Sequence, residues 1–133
     1  MALFDNIKKL FQKKPSKVVD TTVFHIISLE EIKKKYEADD VNGAAKDLKM
    51  LLERYGKRKN RNHKFKGREF VDFVLGSKHK DLKNVGYTHW QNIGQIIEAN
   101  HSKVYPYYKQ KLKDAIDFYS KEIRDLNTIT FVI

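Results

Sequence analysis

Five histidines, His25, His63, His79, His89 and His101, are the side chains in this sequence best suited to moving a proton near neutral pH or holding a metal. A catalytic zinc helix needs two of them one turn apart with a glutamate beside the first, and no His-Glu-x-x-His run occurs. Cysteine is absent, which excludes thiol catalysis, disulfide scaffolds, cysteine-held zinc and iron–sulfur clusters. There is no Gly-x-Ser-x-Gly elbow, Walker loop or Gly-x-Gly-x-x-Gly turn. His89 and His101 stand twelve apart on what read as successive helices, a spacing that defines no site. His25 lies in a β-leaning stretch, where a core or edge role is expected. The expectation is a protein that is not an enzyme and uses no metal or cofactor, so its chemistry is sought in its charge.

That charge is large and uneven. Lys and Arg number 27 against 17 Asp and Glu, a formal net charge of +10. Residues 57–83 carry ten basic and three acidic residues, and residues 1–20 carry five Lys and two Asp; the rest of the chain is close to neutral. A localised excess of this kind is the footprint expected for an anionic partner. Its sharpest part runs from Lys57 to Arg68, with seven cations and no carboxylate. Self-repulsion favours an exposed, mobile run in the free protein, and phosphates are its commonest neutralising partner. Lys57, Arg58, Lys59, Arg61, Lys64, Lys66 and Arg68 are therefore the expected polyanion-binding residues, with Lys78, Lys80 and Lys83 extending the patch. Phe65, a lone aromatic among these charges, either stacks on bases or anchors the run to the core. The same composition also suits a solvated loop between helices.

Tyr87, Trp90, Tyr105, Tyr107 and Tyr108 gather in the second half of the chain. Trp90 and Tyr108 fall on apolar helix faces, which gives them to the core, and Tyr105 and Tyr107 flank such a face as surface contacts. No zinc-finger ligands, basic leucine-zipper heptads or RRM aromatic signature are present. The stretch 77–87 reads as a connection of about eleven residues, too long for the tight turn of a helix-turn-helix. Backbone contact without base readout is the expected mode, with DNA or RNA as the partner. The alternative is a protein-interaction module, such as an inhibitor, immunity or assembly factor of a mobile element, that grips an acidic protein. Arg58 and His63 also form an Arg-x4-His spacing that resembles the catalytic motif of HEPN-type ribonucleases, small all-helical proteins in which the pair acts on an RNA backbone. The likeness covers two residues and falls where a loop, not a helix start, is expected.

The elements that must position these groups are mostly helical. With 133 residues the chain suits one core. Leu3, Phe4, Ile7, Leu10 and Phe11 recur at helical spacing among lysines, so 1–14 reads as an amphipathic helix that docks on the core, on a partner or weakly on a membrane surface. Interleaved charge and the lack of a small-residue cleavage site make it unlike a secretory signal, and a cytoplasmic location is expected. Residues 15–133 read as a single helical domain: a mainly α bundle of about four to five helices, with a small sheet pairing 18–27 with 128–133. Ser28-Leu29-Glu30-Glu31 is a capping box, Asp39 and Asp40 form a second cap, and Gly56 is expected just past the end of the helix that follows. A short helix is expected to end at Gly76, and Thr88-His89-Trp90-Gln91 to open another. The last helix is read from near Ser102–Tyr105 through Leu126 on its apolar repeat.

Overall fold

A computed structural model describes residues 24–99 and 105–133 of the chain. The expected 1–14 helix, with Leu3, Phe4, Ile7, Leu10 and Phe11, lies outside the described residues, as do residues 15–23 and His101. The described part is a mainly α bundle with a two-stranded antiparallel sheet. In chain order it comprises β1 (Ile26–Ile27), α1 (Leu29–Glu37), α2 (Val41–Lys59), α3 (Gly67–Leu75), α4 (Lys80–Ala99), α5 (Pro106–Glu122), a 3-10 turn (Arg124–Thr128) and β2 (Phe131–Val132). No described helix is long and apolar enough to cross a membrane.

Local chemistry sets most of the element starts. The Ser28 hydroxyl accepts from the Glu31 amide at 3.2 Å and opens α1. Glu30 and Glu31 in its first turn, and Lys34 and Lys35 in its last, complement the helix dipole. Asp39 takes the left-handed conformation that reverses the chain, which Asp tolerates better than most residues. The Asp40 carboxylate then caps α2 through the Gly43 amide at 3.0 Å. Pro106 sits in the first turn of α5, where its missing amide costs nothing.

α2 is the central element and packs against each of the other four helices. Ala44, Ala45, Leu48, Leu51 and Leu52 are buried along it, and the small pair near its start lets neighbouring backbones approach. α3, α4 and α5 meet at Gly86. A Cβ there would stand 2.7 Å from Leu75 Cδ1 and 3.2 Å from Phe118. The buried Tyr119 hydroxyl donates to the Gly86 carbonyl at 2.6 Å, and burial holds that hydroxyl protonated far above the ordinary tyrosine range. The sheet pairs Ile26 with Val132 and Ile27 with Phe131, and His25 continues the ladder with Ile133. Ile27 is fully buried, so the ribbon rests on the helices rather than standing alone.

Four expected boundaries differ from the structure. α2 does not stop before Gly56 but continues to Lys59, since Lys57, Arg58 and Lys59 are good helix formers that favour the negative end of the dipole. Gly56 is buried for a different reason: a Cβ would stand 2.9 Å from both the His63 and Phe70 rings. The stretch 77–87 is not a loop, because α4 begins at Lys80, where the His79 ring accepts from the Asp81 amide at 3.1 Å. Thr88 is not a cap; its hydroxyl donates to the Asn84 carbonyl one turn back inside α4. α5 ends at Glu122, and the apolar repeat continues through the 3-10 turn, where Leu126 is buried and the Asn127 amide donates to the Ser120 and Arg124 carbonyls.

Candidate functional site

The cationic run is divided between three elements. Lys57, Arg58 and Lys59 form the last turn of α2, residues 60–66 form the connection, and Arg68 lies in the first turn of α3. Asn60 ends α2 in an extended conformation, and its side-chain oxygen accepts from the Asn62 amide at 3.0 Å while its carbonyl accepts from the His63 amide at 3.2 Å. This tight reversal brings the His63 ring back over Gly56, whose missing side chain makes the room.

His63 is 9% exposed and sits among aromatic rings. Its ring lies 5.1 Å from Phe73, 5.7 Å from Phe70 and 5.9 Å from Phe65, the last nearly parallel. Phe65 also packs on Phe73 at 5.0 Å, and Phe70 on Trp90 at 4.9 Å. Phe65, His63, Phe70 and Trp90 thus form one connected track of rings. Neither ring nitrogen of His63 has a hydrogen-bond partner. Phe65 is both an anchor and a surface, held from behind yet 41% exposed.

This track floors a groove of about 1280 Å³. Its walls carry five cations, Lys49, Arg54, Lys57, Lys64 and Lys66, against one carboxylate, Glu53. All five cations are exposed, and none forms an ion pair among the described residues. Lys49 and Arg54 lie outside the run and are not among its expected residues. The signal for them is helical spacing: Lys49, Glu53 and Lys57 stand four apart, as do Met50 and Arg54, so one face of α2 leads into the run.

The other expected site residues are placed differently. Arg68 is held by Asp72 at 3.4 Å, by the Asn84 side chain and over the Tyr87 ring at 5.5 Å. Lys59 donates to the Phe73 carbonyl at 3.2 Å and lies over the Tyr55 and Phe73 rings. Lys78 pairs with Glu122 at 3.8 Å. Arg61 in the connection and Lys80 at the start of α4 are exposed, and Lys83 one turn on is half-buried; none of the three lines the groove.

Arg58 lines a separate cavity of about 350 Å³ with Tyr55, Lys59, Asp125, Thr128 and Ile129. Arg58 and His63 therefore face different cavities, and the Arg-x4-His spacing does not bring them to one phosphate in this arrangement.

The remaining histidines are dispersed. His25 Nε2 lies 3.1 Å from Asp47 Oδ1 beside β1, and its exposed position fits the edge reading. His89 packs on Phe118 at 4.9 Å, where burial pushes its imidazole below the usual range. Among the described residues no group of three His, Asp or Glu side chains stands together to hold a metal. Tyr105 and Tyr107 are exposed at the start of α5, and Tyr107 lies under Lys111 at 5.3 Å.

The connection between α3 and α4 has four residues, 76–79, turning at Gly76 with φ of 66°. It is short enough for a helix-turn-helix, contrary to the long connection expected over 77–87. α4 itself carries little charge: Lys80 and Lys83 flank Asp81 in its first turn, and Glu98 near its far end is its one other charged residue. No protein-family model, curated protein or solved structure matches the chain.

Proposed function

We propose that this chain is a non-enzymatic accessory protein that binds nucleic-acid backbone through the groove between α2 and the 60–66 connection, without reading base sequence. The observation that carries the reading is the set of five cations, free of ion pairs, on one concave surface with a single carboxylate. Converging like charges are unfavourable in isolation, and a polyphosphate relieves them while releasing its own counter-ions. Lys64 and Lys66 come from the connection and Lys49, Arg54 and Lys57 from α2, so donors from two elements face the same groove.

Fluorescence anisotropy of labelled oligonucleotides across a salt series tests this. Five phosphate contacts give a log–log slope between roughly −3.5 on single strands and −4.5 on duplex. Affinity that ignores salt, or no binding at low salt, contradicts the proposal.

An acidic partner protein is the second reading. It draws on Phe24, Ile26, Val132 and Ile133, exposed apolar residues at the sheet that a polyanion has no use for. An acidic peptide with apolar side chains that binds more tightly than polyglutamate of equal charge, and loses that advantage in Phe24→Ser/Val132→Ser, favours that reading.

A further inference from the structure

We infer that the groove takes a single strand, with a base stacked on Phe65, and not a duplex. The inference rests on the backbone-binding reading and adds the class of nucleic acid. Cations alone do not distinguish the two forms, because both present phosphates. The floor does distinguish them. A duplex keeps its base faces covered by neighbouring bases, whereas an unpaired strand offers a free π-face that an aromatic side chain can cover.

Three features of the floor suit such a face. Phe65 is exposed within the groove, on the lip formed by Lys64 and Lys66, so the ring and the phosphate donors are adjacent in the chain. The ring is also preorganised: His63 lies nearly parallel behind it, and Phe73 packs on it at 5.0 Å. A stacking platform held this way loses little freedom on binding. Finally, the track continues through Phe70 to Trp90, a partly buried ring that also lines the groove. His63 acts here as a positioning residue. Both its ring nitrogens go unpaired at 9% exposure, a cost that its place behind Phe65 accounts for.

The test compares three probes of equal length: an oligothymidylate single strand, its duplex with oligoadenylate, and an abasic single strand. The full chain binds the oligothymidylate more tightly than either of the others. Phe65→Ala weakens oligothymidylate binding by roughly 5- to 150-fold, the range for losing one base–aromatic stack. It leaves the abasic strand unchanged, and Phe65→Trp, which keeps a stacking face, restores affinity. Equal binding of abasic and oligothymidylate strands, tighter binding of the duplex, or no effect of Phe65→Ala overturns the single-strand inference while leaving backbone binding intact. Failure of all three probes to bind overturns the backbone reading as well. Circular dichroism of both variants confirms that they remain folded.

Discussion

Asp47 and His63 are two polar side chains buried among the described residues, and their surroundings are opposite. Asp47 is 2% exposed and both its oxygens are engaged, Oδ1 by His25 at 3.1 Å and Oδ2 by Lys35 at 2.8 Å. Those partners come from the start of the sheet and from α1, so one carboxylate on α2 ties three elements together. His63 is packed among the Phe65, Phe70 and Phe73 rings and has no partner for either nitrogen. A buried polar group that is fully paired stabilises a fold, while an unpaired one costs free energy. The first region is built for stability, and the second tolerates a cost at the place where cations converge.

The sharpest way to break this comparison is to remove each group in turn. Asp47→Ala frees two partners that are themselves partly solvated, so the loss is smaller than for a wholly buried pair: about 2 kcal/mol in urea unfolding. A change below about 0.5 kcal/mol, the range of ordinary surface substitutions, shows that the clamp is idle. His63→Phe removes two unsatisfied nitrogens and keeps a flat ring, so stability is unchanged or rises by up to about 1 kcal/mol. A clear loss contradicts the description of His63 as unpaired.

The smallest effect concerns pH. Burial lowers the His89 imidazole below its ordinary 6.5, with Lys111 acting in the same direction and Asp114 against it. The unfolded chain therefore takes up this proton at a higher pH than the folded one. Stability falls as pH drops below about 6.5 toward the folded value, and above that range His89 contributes no slope. His89→Gln flattens this part of a pH–melting profile. A profile identical to wild type between neutrality and mild acid contradicts the assignment.

Much of the frame is legible in the residues. Ser28 and Asp40 announce their helices because a cap is a local contact within four residues. The β-branched segments near the two ends announce the sheet, as Ile26–Ile27 against Phe131–Val132 confirms. Gly56 reads as a helix end, and Gly86 falls in the stretch 77–87 that reads as a connection. Both instead sit inside helices, where another element presses on the space a side chain would fill, and nothing beside them in sequence records that neighbour. Leu126 misleads differently, since three-residue spacing serves a 3-10 turn as well as an α-helix.

The candidate site is half legible. Lys57, Lys64, Phe65 and Lys66 stand out in the cationic run and line the groove. Charge counting alone does not separate them from Lys59, Arg68 and Lys78, whose partners at Phe73, Asp72 and Glu122 come from packing and helical spacing. His63 reads as one cation-flanked residue among many. Its inward turn depends on the Asn60 reversal and on the space at Gly56.

That division of the run supplies the most direct measurement. Lys57→Gln/Lys64→Gln/Lys66→Gln and Lys59→Gln/Arg68→Gln/Lys78→Gln remove the same charge, the first set from the groove and the second from residues with partners inside the protein. Oligonucleotide affinity is followed across salt for both. The account predicts that the groove set reduces the slope by roughly 2 to 3, about one unit for each phosphate left without its cation, while the partnered set leaves it near the wild-type value. Equal flattening by the two sets means that net charge alone attracts the nucleic acid, and contradicts a built site.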